Sequence, residues 1–144
     1  MKRRMPLLCA LLLLLSLAGC GGEKESGESV REDAGASTKF SREEIADAMS
    51  RVKEKFQEFA GCTLTDLWYD EETSDSVVES YLEGGHGSWN GAVPENTIVL
   101  LSNFDVDASG GDGSLNPNST YENWSWILIR DDPSGEWRVD DWGY

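Results

Sequence analysis

Asp105-x-Asp107-x-Ser109-Gly110 is the set of residues in this chain that comes nearest to a recognisable chemistry. Alternate oxygens followed by a turn-permitting glycine are how a calcium loop begins, and Asp112 and Asn116 could add further oxygens. The pattern fails at its twelfth position, where a bidentate Glu is needed and Asn116 stands. The flanks also read as strands, whereas an EF-hand loop joins helices. The favoured expectation is therefore a hairpin loop whose Asp, Ser and Asn side chains bond their own backbone. A weak calcium site at Asp105, Asp107, Ser109 and Asp112 is the alternative, and no other cofactor is expected.

Other chemistry-bearing residues are scattered. Trp89 and His86 share the Gly-rich run GGHGSWNG at 84–91. A loop tryptophan can stack on a sugar ring or a peptide side chain, so these two are the candidate ligand-binding residues. Flanking glycines leave His86 too mobile for a precise catalytic role. A Cys62–His86 pair would be the only route to nucleophilic catalysis by a thiol, because His86 is the sole histidine. A lone cysteine is more often a small buried hydrophobe. Asp66, Tyr69 and Tyr81 could supply an acid or a phenol to a pocket. The Asn118 and Asn123 triplets look like glycosylation acceptors, a reading that carries weight only in a chain that meets a glycosylation machinery.

The N-terminus carries the clearest motif. Lys2, Arg3 and Arg4 precede an apolar run of about twelve residues, 7–18. As a helix it would rise about 18 Å, short of the ~30 Å hydrocarbon core, so it reads as a signal peptide. Leu17-Ala18-Gly19-Cys20 resembles the lipobox. That resemblance implies a diacylglyceryl group on the Cys20 thiol, cleavage before it, and acyl chains (palmitate among them) holding the protein in a membrane at ~0.8 kcal/mol per buried CH₂. The expected location is the extracytoplasmic face of the cell membrane.

Composition then narrows the partners. Of 12 Lys+Arg, three leave with the leader, so 9 face 27 Asp+Glu and the mature net charge is −18. Anionic nucleic acid is excluded by repulsion. A protein, a peptide or a cell-wall fragment remains. Of three cysteines, Cys9 leaves and Cys20 carries lipid, so Cys62 is alone and no intramolecular disulfide forms.

The elements that must position these residues follow from periodicity. Residues 21–39 are mostly Gly, Glu, Ser, Lys and Ala with one valine, which predicts a disordered tether spanning about 25 Å. Ser41 and Glu44 form a capping box, with Phe40 and Ile45 as its hydrophobic staple. Ile45, Ala48, Met49, Val52, Phe56, Phe59 and Ala60 then recur on one helical face, ended by Gly61. A short strand is expected over 62–69, and a second helix over 74–83 capped by Ser74. Strands follow over 97–107, 124–130 and 137–142, with a turn at 131–135. Trp124, Trp126 and Leu128 alternate onto one face, and most of the six tryptophans must fill the core.

This order predicts an α+β fold in which the N-terminal helix packs in a curved antiparallel sheet. The domains are a signal peptide at 1–19, lipidated Cys20 with its tether to 39, and one α+β domain at 40–144. The order looks like the cystatin-like or nuclear-transport-factor-like roll. NTIVLLSNF (96–104), GGDGSLNPNSTYENW (110–124) and WRVDDWGY (137–144) resemble a group of uncharacterised bacterial lipoproteins with such a C-terminal domain. The resemblance implies fold and location and carries no activity. The expected role is a non-enzymatic binding or accessory module. The alternative is a cone-fold enzyme using a carboxylate base such as Asp66 between helix and sheet.

Overall fold

Ser41 starts the first helix as its chemistry requires. Its Oγ accepts from Glu44 N at 3.1 Å, and Glu44 Oε2 accepts from Ser41 N at 2.7 Å, so both halves of the capping box are formed. In the computed structural model, which describes residues 29–144, the chain runs β1 (Arg31–Asp33), α1 (Arg42–Phe56), β2 (Cys62–Trp68), α2 (Glu71–Gly84), β3 (Thr97–Val106), β4 (Ser119–Ile129) and β5 (Arg138–Gly143). The leader and Cys20 lie outside the described residues.

The sheet is five-stranded and open, in the order β1-β2-β3-β4-β5. It is mixed: β1 runs parallel to β2, and the remaining pairs are antiparallel. Ile98, Leu100, Phe104, Trp126 and Leu128 point one way and bury under Ile45, Ala48, Met49, Val52 and Phe56 of α1. Val99, Ile127 and Ile129 point the other way and bury under Val78 and Tyr81 of α2. Two helices thus cover opposite faces. A strand covered on both sides reads as a continuous apolar run, which is why the first six residues of β3 are all buried.

Several expectations are corrected here. The tether expected over 21–39 gives way, within the described residues, to chain docked on the domain. Arg31, Glu32 and Asp33 read as solvated charge. Instead they pair in register with Asp66, Leu67 and Trp68, because the free edge of β2 offers unpaired backbone groups. Ion pairs Arg31–Asp66 (2.8 Å), Lys53–Glu32 (2.6 Å) and Lys39–Asp75 hold this strap, and Glu71 accepts from the Thr38 amide and hydroxyl. Helix α1 stops at Phe56, and 57–60 form a turn that carries Phe59 inward. Helix α2 begins before 74: Asp70 is the cap, accepting from Thr73 N, and Ser74 is buried, its Oγ accepting from Val99 N at 3.0 Å. The 84–91 loop contains a short 3-10 turn, His86–Ser88. Strand β4 starts at Ser119, and Trp137 precedes β5.

The strap turns at Gly35, where φ is +58° and a Cβ would stand 2.5 Å from the Tyr69 carbonyl oxygen. Backbone cannot retreat as a flexible side chain would. Gly35→Ala is expected to cost about 1–3 kcal/mol, read as a lower urea midpoint with an unchanged slope. An unchanged midpoint would mean that the strap contributes nothing to folding.

Candidate functional site

Among the described residues, a cleft runs along the seam between α1 and β5. Arg51, Glu54, Lys55 and Glu58 lie at i, i+3, i+4 and i+7, so one stripe runs down the helix and into its closing turn. Opposite stand Glu136, Trp137, Arg138 and Val139, and the cleft between the two walls is about 640 Å³. It is polar, and its charges are largely spent on one another. Arg51 pairs with Glu54 at 3.3 Å and Glu136 at 3.5 Å, Lys55 with Glu58 at 2.6 Å, and Arg138 with Asp131 at 3.0 Å.

Past Glu58 the seam becomes aromatic. A second cleft of about 350 Å³ is lined by Phe59 and Ala60 from the turn, Asp112, Ser114 and Leu115 from the β3–β4 loop, Trp124 from β4 and Trp142 from β5. That volume is at the small end of ordinary ligand pockets. Cross-strand register explains the wall: Trp142 lies opposite Trp126, and Trp124 precedes Trp126 by the two residues that put both on one face. Phe59 meets Trp124 at 6.5 Å and Trp142 at 6.3 Å between ring centroids. Lys55 Nζ stands 4.9 Å over the Trp142 ring. Trp142 keeps 41 % of its surface exposed.

Two buried side-chain nitrogens have no hydrogen-bond partner among the described residues, Arg51 Nε and Trp124 Nε1. They belong to residues lining the two neighbouring clefts. Both are donors, and a buried donor left unpaired is costly. Asp112 supplies an acceptor at the rim. Its Oδ1 accepts from the hydroxyl and amide of Ser114, and these bonds hold the carboxyl below its ordinary range.

The candidate ligand residues Trp89 and His86 are brought together, with ring centroids 5.3 Å apart and Trp89 74 % exposed. They sit at the end of α2 beside a polar knot. Asp140 Oδ2 accepts from Tyr81 Oη at 2.5 Å, Asn90 Nδ2 donates to Tyr81 Oη at 2.8 Å, and His86 Nδ1 lies 3.6 Å from Asp140 Oδ2. Burial, then the Asp140 hydrogen bond, pushes the Tyr81 hydroxyl up to about 12, so it stays protonated and acts as a donor. The knot pins the loop to β5. Asn90 and Asp140 carried no sequence signal, because their partnership depends on a fold contact between distant positions.

The remaining candidates stay apart. Tyr69 packs edge-on to Phe40 in the α1-side core, Tyr81 is in the α2-side core, and Asp66 engages Arg31. Burial of Asp66 opposes its charge, but hydrogen bonds from Thr65, Arg31 and Asn103 outweigh it and hold its carboxyl below the ordinary range. Cys62 packs against the α1-side core, away from His86, and burial pushes its thiol up.

In the loop, Asp107 Oδ1 accepts from Ser109 N and Oγ, and Asp105 Oδ1 accepts from Thr120 Oγ1. Each carboxylate thus serves a neighbour in the hairpin. Gly61, at φ +68°, leaves room for this loop: a Cβ there would stand 2.5 Å from Ser109 Oγ. Among the described residues no three His, Cys, Asp or Glu side chains are grouped to hold a metal ion. Asn118 and Asn123 both take left-handed backbone, at φ 52° and 56°. Asn123 sits at the bulge facing Ser102–Phe104, where its amide donates to Asn103 Oδ1.

Residues 36–143 match the family described as Domain of unknown function (DUF4829). The match spans most of the chain, and the protein belongs to this family. No curated protein and no solved structure matches it.

Proposed function

We propose that this member of the family is a lipid-anchored binding or accessory module on the extracytoplasmic face of a bacterial cell membrane. Cys20 is its anchor, through the Leu17–Cys20 lipobox and the short apolar leader before it. Among the described residues no helix is long and apolar enough to cross a membrane. The domain is read as a relative of the cystatin-like and nuclear-transport-factor-like rolls, with α1 lying across the sheet.

The observation that carries the binding reading is the aromatic cleft itself, in which Trp142 keeps 41 % of its surface exposed beside Phe59, Leu115 and Trp124. An enzyme of this architecture would place a carboxylate base between helix and sheet. Here that space is filled by Met49, Phe56, Phe104 and Trp126, and Asp66 is engaged by Arg31. What stays accessible is the rim, and a rim surface suits recognition.

Two measurements test the proposal. Metabolic labelling with a palmitate analogue should tag the full chain, and Cys20→Ser should abolish the tag and release the protein from membranes. A soluble wild-type chain without label would overturn the anchor. For binding, the tryptophan emission of the detergent-solubilised full chain is titrated with soluble peptide and glycan fractions of a bacterial cell envelope. One fraction should shift the emission of the wild type, and Trp142→Ala should lose the response. Silence towards both fractions would overturn the module.

A further inference from the structure

The strand that leads into the domain is held almost wholly by charge. We infer that β1 is an electrostatic clasp: ion pairs dock it on the β2 edge, keep the domain close to its anchor, and release it at high ionic strength to lengthen the tether while the domain stays folded. The standoff from the membrane rests on the Cys20 anchor proposed above, and the clasp itself does not.

The forces on the two sides of Phe40 differ in kind. All three residues of β1 are exposed, and the strand has one neighbour, β2. Val30 and Ala34, at its two ends, touch the core and are only partly buried. Three ion pairs add to this: Arg31–Asp66 at 2.8 Å, Lys53–Glu32 at 2.6 Å, and Lys39–Asp75. The Arg31 side chain is 80 % exposed, and those of Lys53, Glu32, Lys39 and Asp75 lie between 38 and 45 %, so salt reaches every pair. The partners Asp66, Lys53 and Asp75 stand on β2, α1 and α2, so the clasp closes only on the folded domain. At Phe40 the chain becomes apolar core. Phe40 is 7 % exposed and packs edge-on against Tyr69 and Trp137. Screening weakens charge pairs and leaves apolar packing in place. The strap therefore opens as far as Phe40 and stops there. Strand β1 also precedes residues 36–143, the span that matches the family, so the clasp is joined to the matched domain from outside it.

Opening changes the standoff through chain length. About ten residues separate Cys20 from Val30, which limits the reach of the docked form to ~35 Å. With the strap released the first fixed residue is Phe40, about twenty residues from Cys20, and the limit doubles to ~70 Å. Release also bares the β2 edge. In the docked form the Tyr69 amide beyond the end of β2 donates to the Asp33 carbonyl at 2.9 Å.

That amide is the reporter, followed by residue-resolved hydrogen exchange of the full chain in a non-ionic detergent. Raising salt from about 0.05 M to about 1 M should speed its exchange about fivefold, the effect of screening two or three exposed pairs. The Val99 amide, bonded to Ser74 Oγ under α2, should not respond. Lys53→Glu sets two acids against each other and should open the strap at low salt. Glu32→Lys combined with Lys53→Glu restores an ion pair and should close it again. A Tyr69 amide indifferent to salt, or one that exchanges in step with Val99, would overturn the clasp. In phosphatidylcholine vesicles carrying a dansyl headgroup, energy transfer from the tryptophans should fall with the same salt step and be low in Lys53→Glu throughout. Transfer that stays constant while Tyr69 opens would overturn the standoff and leave the anchor in place. A chain whose strap opens but which never associates with the vesicles would overturn the anchor and the standoff together.

Discussion

Arg130→Ala should destabilise the domain by about 3 kcal/mol or more, the range for removing one member of a buried ion pair. Arg130 follows directly on β4 with only 8 % of its surface exposed. Its Nη1 donates to Glu44 Oε1 at 2.7 Å and its Nε to Asn96 Oδ1 at 3.2 Å. The guanidinium also stands 4.3 Å over the Trp137 ring and 5.7 Å over Phe40. Truncation removes these contacts and leaves Glu44 facing two aromatic rings. Glu44 is itself about one-third exposed and regains some water, which argues for the lower end of the range. Arg130→Met should cost less, because its stem still packs on Trp137. Urea unfolding checks both, and equal midpoints for wild type and Arg130→Ala would show the pair to be inert.

The same contact sets an acid dependence. Glu44 is held below its ordinary range first by the Ser41 backbone hydrogen bond and then by Arg130. A carboxyl whose folded value lies below its unfolded value binds fewer protons when folded. Its contribution is therefore complete above the ordinary carboxylate range and is lost as pH falls through the depressed folded value. Glu44→Gln should flatten the acid limb of stability against pH, and an unchanged limb would assign that limb to other carboxylates.

Glu44 also shows what a sequence can and cannot announce. Its place three residues after Ser41 spells a capping box, because a cap is local chemistry. Its ion pair with a residue 86 positions away, and its carbonyl's acceptance of the Trp137 indole N–H at 3.1 Å, have no local signature. The same division runs through the fold. The face of α1 and the alternation of Trp124, Trp126 and Leu128 follow from periods of 3.6 and 2. Strand β1 was hidden because Arg-Glu-Asp has no apolar period, and it pairs only because β2 leaves an edge free. Ser74 reads as a cap from its residue type, but its hydroxyl serves Val99 across the α2–sheet interface. The placement of α2 on the far face was equally silent, since two helical stripes do not say which side of a sheet each will cover. Of the cleft, Trp124 and Trp142 are visible in the sequence, where bulk and alternation mark them as core filler. Their exposure depends on where the α1 turn and the β3–β4 loop diverge.

Trp126→Ala should cost about 3–5 kcal/mol, the range for deleting a buried aromatic ring. Trp126 is fully buried, and its Nε1 donates to Ser102 Oγ at 2.8 Å across the β3–β4 pairing. Its ring meets Phe56 at 6.2 Å, Phe59 at 5.3 Å and Trp142 at 6.2 Å. The substitution therefore leaves a void under α1 and a buried hydroxyl without its donor. Trp126→Phe separates the two losses. It restores most of the volume but not the hydrogen bond, so it should cost about 1–3 kcal/mol. Calorimetric melting of the series would read this, and parity between the two variants would show that ring volume contributes little here. Trp126 also underlies the aromatic cleft: Phe59 and Trp142 line it, and both lean on the Trp126 ring. Trp126→Phe should thus weaken ligand binding at the cleft even where the domain remains folded. Trp142→Ala, at an exposed ring, should abolish binding with a much smaller loss of stability. If the two variants instead lost stability and binding in the same proportion, the cleft would be a by-product of core packing and not a surface held open by it.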